Sequence, residues 1–205
     1  MPEKSRITRA TINIALAATL TALVCVGSAS LAFPLPYLGW FTPGDALVML
    51  VGVLFGPVIG LFSGGIGSAL ADIVVGFGRF APYTFIAKGG EGFISGLPLY
   101  LILFARRRRN PKVMHPSTKL ANIANLIGVI SGGAWMVISY FLTIAFLYRP
   151  ESALLELPGN ILQVVIGVAI SIPISHFLIP ILRKTFPGIF EKWWTKDPKT
   201  EHSPK

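Results

Sequence analysis

Four polar side chains recur at the spacing of one helical face. Thr84, Lys88, Glu91 and Ser95 follow one another at intervals of 4, 3 and 4 residues. A lysine donates hydrogen bonds to carbonyl or anionic groups, and a glutamate accepts them from amino or hydroxyl groups. The pattern therefore predicts one of two things: Lys88 and Glu91 contact a polar ligand, or they form a structural pair in which their charges neutralise each other.

A second polar face carries amides. Its members are Asn160, Gln163, Gly167 and Ser171, again at helical spacing. Side-chain amides both donate and accept hydrogen bonds, so this face can either bind a polar solute or join neighbouring helices. Both interpretations stay open on the sequence alone.

The segment 33–45 is rich in aromatic residues and carries no charge before Asp45. Its aromatic side chains either close over a flat heterocycle or anchor the chain at a membrane surface. Asp45 itself is a candidate ligand contact at the start of the next helix. The aromatic residues predicted to line a pocket are Tyr37, Trp40, Trp135 and Tyr140.

The chain shows no recognisable catalytic signature. It contains no P-loop, no zinc-protease His-Glu motif and no nucleophile elbow. Cys25 is its only cysteine, and its three histidines are far apart. We therefore expect no enzyme activity, no metal and no cofactor. A membrane enzyme using Glu91 or Asp72 is the least favoured alternative, because it would need a second reactive group at the same depth and no partner nucleophile is predicted there.

The composition indicates the elements that must position these groups. Of the 205 residues, 53% are hydrophobic and 13% charged, against roughly 25% charged in soluble domains. The net charge of +9 suggests nucleic-acid binding in a polar chain, but here the mean hydropathy is +0.67. Uncharged spans longer than the roughly 20 residues of a membrane crossing instead predict an all-α membrane protein that does not bind nucleic acid.

We predict one six-helix membrane domain over 1–190, followed by a polar cytoplasmic tail over 191–205. Breaks at glycine, proline and charged clusters place the helices near 9–31, 44–55, 57–75, 82–105, 119–148 and 158–182. With six crossings, 15 of the 18 basic residues fall on the side of the termini. Positive loops stay cytoplasmic, so both termini are expected inside.

This topology brings the intramembrane polar residues to a common depth, in the outer half of the membrane. Such groups are costly in lipid and by default mark function. A pocket open to the outside and closed beneath by apolar packing is therefore expected. The residues predicted at this depth are Asp45, Asp72, Lys88, Glu91, Asn160 and Gln163.

Three sequence blocks resemble the S components, the substrate-capturing membrane subunits, of energy-coupling factor (ECF) vitamin transporters. The blocks are GDALVMLVGVLFGP (44–57), GGIGSALAD (64–72) and PYTFIAKGGEGFISG (82–96). They are most similar to the subgroup that includes hydroxymethylpyrimidine-type S components. The resemblance implies a transmembrane coupling protein and two ATPase subunits as partners. It also implies a small-residue docking face on the first helix, where Ala15, Ala18 and Ala22 fit.

The sequence therefore favours an S component in a prokaryotic plasma membrane. It would bind a water-soluble vitamin or precursor from outside, such as a hydroxymethylpyrimidine-like, pyridoxine-like or riboflavin-like heterocycle, for ATP-driven uptake. A stand-alone secondary carrier is the alternative. It would require polar groups in the inner half and inverted repeats, which the sequence does not clearly contain.

Overall fold

A computed structural model describes residues 3–30, 32–35, 39–109 and 118–185. Within these ranges the chain forms six helices and one short β-hairpin, and the number of helices confirms the prediction. The elements in chain order are α1 (Glu3–Ser30), β1 (Phe33–Leu35), β2 (Gly39–Phe41), α2 (Gly44–Phe55), α3 (Pro57–Val74), α4 (Ala81–Arg109), α5 (Thr118–Leu147) and α6 (Pro150–Thr185). The predicted tail, 191–205, lies outside the described residues.

The helices form a membrane protein. Three of them are long and apolar enough to cross a bilayer by length and composition: α3, α5 over Lys119–Leu147, and α6 over Pro150–Leu182. Large apolar side chains also point away from the bundle, as a lipid environment requires. Examples are Leu23, Val26, Ile86, Phe146 and Phe177.

Helix α2 is short because the chain breaks at Gly56-Pro57. Gly56 has φ 88°, a backbone conformation that favours glycine, and Pro57 occupies the first turn of α3, where its missing N–H costs nothing. The prediction of two separate helices is thus confirmed. At 12 residues α2 is about 18 Å long, and it is wrapped by α1, α3, α4, α5 and α6.

Glycine allows α2, α3 and α4 to approach backbone to backbone. A Cβ added at Gly60 would lie 2.4 Å from the carbonyl oxygen of Gly92, and one at Gly64 would lie 2.7 Å from that of Lys88. The four-residue repeat of small residues along α3 is therefore a packing surface for α4. This contact fixes the height of Lys88 in the bundle.

Helix α6 begins eight residues before the predicted start. Pro158 was predicted to begin the helix, but it lies inside it, and Pro150 takes the first position. Proline is tolerated within membrane helices because neighbouring groups satisfy the freed backbone carbonyl. The earlier start brings Ser152 and Glu156 onto the helix.

The aromatic segment after α1 contains the antiparallel hairpin, where the sequence predicts only a loop. Phe33 pairs with Phe41, and Leu35 pairs with Gly39. Strand β2 lies against α6. The hydroxyl of Thr42 donates to the carbonyl of Ser28 at 3.1 Å and accepts from the backbone N–H of Gly44 at 3.1 Å. This side chain ties the end of α1 to the beginning of α2.

Candidate functional site

A cavity of about 420 Å³ lies at one end of the bundle, near the starts of α4 and α6. Ligand pockets typically occupy roughly 300–1,000 Å³, so it has room for a small solute. Its polar wall combines an ammonium group, hydroxyls, amides and carboxyl groups. The polar residues that line it include Ser28, Thr42, Ser68, Asp72, Arg79, Thr84, Lys88, Tyr140, Tyr148, Ser152, Glu156, Asn160 and Gln163.

Lys88 is the buried cation of this wall, with 3% of its surface exposed. Its ammonium pairs with Asp45 Oδ1 of α2 and lies 3.2 Å from Glu91 Oε2, one turn further along α4. A buried charge is tolerated only when it is paired and hydrogen-bonded. Thus the Lys88–Glu91 pair considered from the sequence exists, and Asp45 completes a triad.

Asp45 and Glu91 lie beneath the cavity and do not line it, although both were predicted from the sequence as ligand contacts. Each has 0% of its surface exposed, and both are absent from the cavity wall. Asp45 belongs to the first turn of α2, where the helix dipole favours a negative charge. These two carboxyl groups therefore hold Lys88 from below, while Lys88 itself reaches the cavity.

Tyr140 and Thr84 form a second polar pair in the wall. The Tyr140 hydroxyl donates to Thr84 Oγ1 at 3.2 Å, and the Lys88 ammonium lies 5.6 Å from the centre of the Tyr140 ring. The ring face attracts the ammonium through its negative quadrupole. Tyr140 thereby connects the α5 wall of the cavity to the polar face of α4.

The amide face of α6 also meets the cavity. Asn160 and Gln163 are 8% and 6% exposed and both line the wall, and Gln163 Nε2 donates to Asn160 Oδ1 at 3.4 Å. Further along the same face, Gly167 packs against the Asp45 side chain. This packing places α6 against the triad.

The remaining aromatic predictions have different outcomes. Trp135 is 39% exposed and does not line the cavity; its indole N–H donates to the carbonyl of Ile86 at 3.3 Å, and the ring covers Gly90. It therefore packs α5 on α4, because its helical position turns it away from the polar face. Trp40 lies in β2, but its side chain is outside the described part of the chain, and Tyr37 lies wholly outside it.

A cluster at the mouth of the cavity was not predicted from the sequence. Arg79, in the turn between α3 and α4, donates to the Tyr148 hydroxyl at the end of α5. Its guanidinium lies 5.3 Å from the Phe80 ring centre and 5.4 Å from that of Tyr148, and these two rings stack. The available sequence signal for this contact was a single basic residue, Arg79, in a turn that also contains Phe77 and Phe80.

Two carboxyl groups of the wall were also missed. Asp72 was predicted at the depth of the pocket but not as a ligand contact, and Glu156 falls between the predicted fifth and sixth helices. Asp72 follows Gly64 and Ser68 at four-residue spacing on α3. Its place on this packing face was the available sequence signal that it is turned inward. No group of three or more His, Cys, Asp or Glu residues suited to a metal ion occurs within the described ranges.

The predicted docking residues lie away from the cavity. Ala15, Ala18 and Ala22 are exposed on α1, and none of them lines the cavity. Their outward position leaves a narrow surface on this helix open to a neighbouring helix.

The bundle and its enclosed polar cavity define a helical membrane protein with a solute-sized compartment. The sequence model of the family described as "ECF-type riboflavin transporter, S component" matches residues 9–179, and the chain belongs to this family. It is 28% identical over 179 residues to the "Thiamine precursor transporter HmpT" of Lactococcus lactis subsp. cremoris (strain MG1363), covering 84% of this chain and 89% of that protein.

An archaeal protein is also similar. The "Uncharacterized protein in gap 3'region" of Pyrococcus woesei is 37% identical over 153 residues, which cover 75% of this chain and 88% of that protein.

Proposed function

We propose that this S component captures a water-soluble vitamin or vitamin precursor from outside the cell and delivers it for ATP-driven uptake. The cavity carries the proposal: it is solute-sized, it is lined by hydrogen-bonding groups, and it lies at one end of an apolar bundle. A membrane protein has little reason to bury such groups unless they serve a site. The ligand contacts would come from Thr84, Lys88, Tyr140, Asn160 and Gln163.

The family and the lactococcal relative support a heterocyclic ligand. The family description names riboflavin, and the relative is described as a thiamine precursor transporter. Riboflavin and the pyrimidine half of thiamine are both flat nitrogen heterocycles. The amides of α6 and the Tyr140–Thr84 pair suit the donors and acceptors at the edges of such rings.

The proposed membrane arrangement has six crossings with both termini cytoplasmic, in a prokaryotic plasma membrane. The distribution of basic residues supports it. Arg106, Lys119 and Lys184 lie at the end of the bundle opposite the cavity, whereas Arg79 and Arg149 lie at the cavity end. Positive loops face the cytoplasm, so the cavity would open to the outside.

The chain would act with a transmembrane coupling protein and two ATPase subunits, because S components supply solute binding and their partners supply energy. The exposed alanines of α1, Ala15, Ala18 and Ala22, are the proposed docking surface. Small residues let helix backbones approach closely. The chain itself would hydrolyse no ATP.

Calorimetric titration of the purified protein in detergent would test the proposal. The panel consists of riboflavin, thiamine, pyridoxine and 4-amino-5-hydroxymethyl-2-methylpyrimidine, and we expect one of them to bind with a sub-micromolar Kd. The Asn160→Leu/Gln163→Leu variant should lose this binding, whereas Ala169→Leu, on the exposed side of α6, should retain it. Absence of any sub-micromolar ligand, together with no ATPase copurifying from native membranes, would contradict the proposal.

A further inference from the structure

Two carboxyl groups of the cavity wall have no ion-pair partner within the described part of the chain. Asp72 and Glu156 both line the cavity, yet the salt bridges found among the described residues both belong to Lys88. The mouth cation, Arg79, is directed at Tyr148 and Phe80. Neither Asp72 nor Glu156 therefore forms an ion pair with Lys88 or Arg79.

Asp72 is the better placed of the two. It lies in the last turn of α3, opposite Thr84 of α4, whose hydroxyl is its hydrogen-bonding partner. Its Oδ2 atom is buried and has no hydrogen-bond partner among the described residues, and the same holds for Ser68 Oγ one turn earlier on the cavity side of α3. The terminal torsion of an aspartate is soft, so either oxygen can turn toward a ligand.

An acceptor of this kind is costly to leave unsatisfied. A buried polar atom without a partner loses its water hydrogen bonds and gains nothing in return. A carboxyl group carries up to four acceptor sites, and the Thr84 hydroxyl fills one of them. A ligand that brings hydrogen-bond donors to Asp72 recovers this loss, whereas a ligand that brings only acceptors does not.

Among the described residues, the charged side chains that line the cavity are two acidic and two basic. Asp72 and Glu156 are the acidic ones, and Lys88 and Arg79 are the basic ones. Lys88 is paired with Asp45 and Glu91, and Arg79 donates to Tyr148. The Lys88 ammonium already serves two carboxyl groups, which leaves one of its three donors for a ligand. The carboxyl groups of the wall that have no ion-pair partner among the described residues therefore favour donor-rich ligand edges.

We infer that the ligand carries an amino group, or a protonated ring nitrogen, directed at Asp72, and that Asp72 determines specificity for amine-bearing heterocycles over their carbonyl or phosphorylated counterparts. The inference rests on the proposed function, because it assumes that the cavity is the ligand site. It narrows the ligand class from flat nitrogen heterocycles in general to those with a donor edge. Asn160 and Gln163, which line the cavity from α6, form hydrogen bonds with the remaining edge of the ligand ring.

The test compares two ligands that differ in one group. These are 4-amino-5-hydroxymethyl-2-methylpyrimidine and the analogue with a 4-oxo group in place of the amine, titrated into the wild-type protein, Asp72→Asn and Glu151→Gln. The wild-type protein should bind the amine at least ten-fold more tightly. Asp72→Asn should lose at least ten-fold for the amine while binding the oxo analogue as well as before or better, because an asparagine amide can donate to a carbonyl.

Glu151→Gln is the matched control, since it makes the same carboxyl-to-amide change on an exposed side chain of α6 outside the cavity wall. It should leave the preference between the two ligands unchanged. The wild-type preference is measured without any variant, so it still tests the inference if the Asp72→Asn protein misfolds.

Equal wild-type binding of amine and oxo analogue would overturn the inference, and so would sub-micromolar binding of riboflavin, which has no amino group, with the same Kd in Asp72→Asn. In both cases the proposed function stands, because a vitamin-like ligand still binds. If no heterocycle of the panel binds at all, the proposed function fails, and the inference fails with it.

Discussion

The ammonium of Lys88 on α4 pairs with the carboxylate of Asp45 on α2, which precedes it by 43 residues. Both side chains are almost fully buried, and Glu91 approaches the same ammonium from one turn away. The pair joins α2, which the other five helices surround, to the cavity wall on α4. A charge that would be prohibitive alone in lipid is thereby held at a defined position facing the cavity.

Removing the charge of Lys88 alone should destabilise the bundle more than removing the charges of Lys88 and Asp45 together. Lys88→Met leaves the buried carboxyl groups of Asp45 and Glu91 without a countercharge, and loss of one partner of a buried pair costs about 3–5 kcal/mol. The free energy of unfolding, measured by denaturant titration in micelles, should fall by about that amount. In Asp45→Asn/Lys88→Met part of the loss should be recovered. A single variant as stable as the wild type would show that the pair contributes nothing.

Ligand affinity should depend on the cavity wall more than on the layer beneath it. Asn160→Ala removes a wall amide and should weaken binding by about 1–3 kcal/mol, the cost of an unpaired buried polar group. Glu91→Gln should change affinity by less than this, because its side chain does not reach the cavity. Calorimetry of both variants with the same ligand checks the order, and the reverse order would place Glu91 in contact with the ligand.

The glycine contacts between α3 and α4 should tolerate no side chain. A Cβ at Gly92 would lie 2.3 Å from the carbonyl oxygen of Gly60, so Gly92→Ala forces two backbones apart. Overpacking of this kind costs about 1–3 kcal/mol or more, which a thermal melt in detergent would detect. Gly78→Ala is the matched control, because its Cβ meets its first neighbour at 3.7 Å. Similar melting temperatures for the two variants would contradict the close approach.

The proposed topology can be tested with cysteine labelling. In a Cys25→Ala background, Arg79→Cys should react with a membrane-impermeant maleimide added to intact cells, because Arg79 lies at the cavity end. Lys119→Cys should react only after permeabilisation. Labelling of both positions in intact cells, or of neither, would refute six crossings with cytoplasmic termini.

The exposed alanines of α1 should control assembly and leave solute binding intact. Ala18→Leu places a bulky side chain on the proposed docking surface, and copurification of the ATPase subunits should fall at least ten-fold. Ala169→Leu makes the same change at an exposed position on α6 and should leave copurification unchanged. A similar effect of both variants would argue against a specific surface on α1.

Features encoded within one element were predictable from the sequence. The break at Gly56-Pro57 follows from the backbone preferences of the two residues. The polar face of α4 and the amide face of α6 follow from helical periodicity alone, and both are buried. A Lys88–Glu91 pair, one of the two alternatives for this face, could be foreseen because the two residues lie one turn apart, and the pair is present.

Features that depend on packing between elements were not predictable. Asp45 was expected at the ligand, but the wrapping of α2 by five helices buries it below the cavity. Asp72 was predicted at the depth of the pocket but not as a ligand contact, because periodicity does not tell which neighbour covers the last turn of a helix. The predicted start of α6, at residue 158, lies eight residues after the observed start at Pro150. A proline inside a helix cannot be told by its local sequence from a proline at a helix start.

The glycine contacts between α2, α3 and α4 have a consequence for how such a protein can diversify. The elements that hold the cavity together meet through main-chain atoms, whereas the groups that line the cavity are side chains at other positions. Substitutions at Asp72, Asn160 or Gln163 can therefore alter the accepted solute without repacking the frame. Ligand preference and structural integrity are encoded by largely separate sets of residues, which leaves selection free to change one while conserving the other.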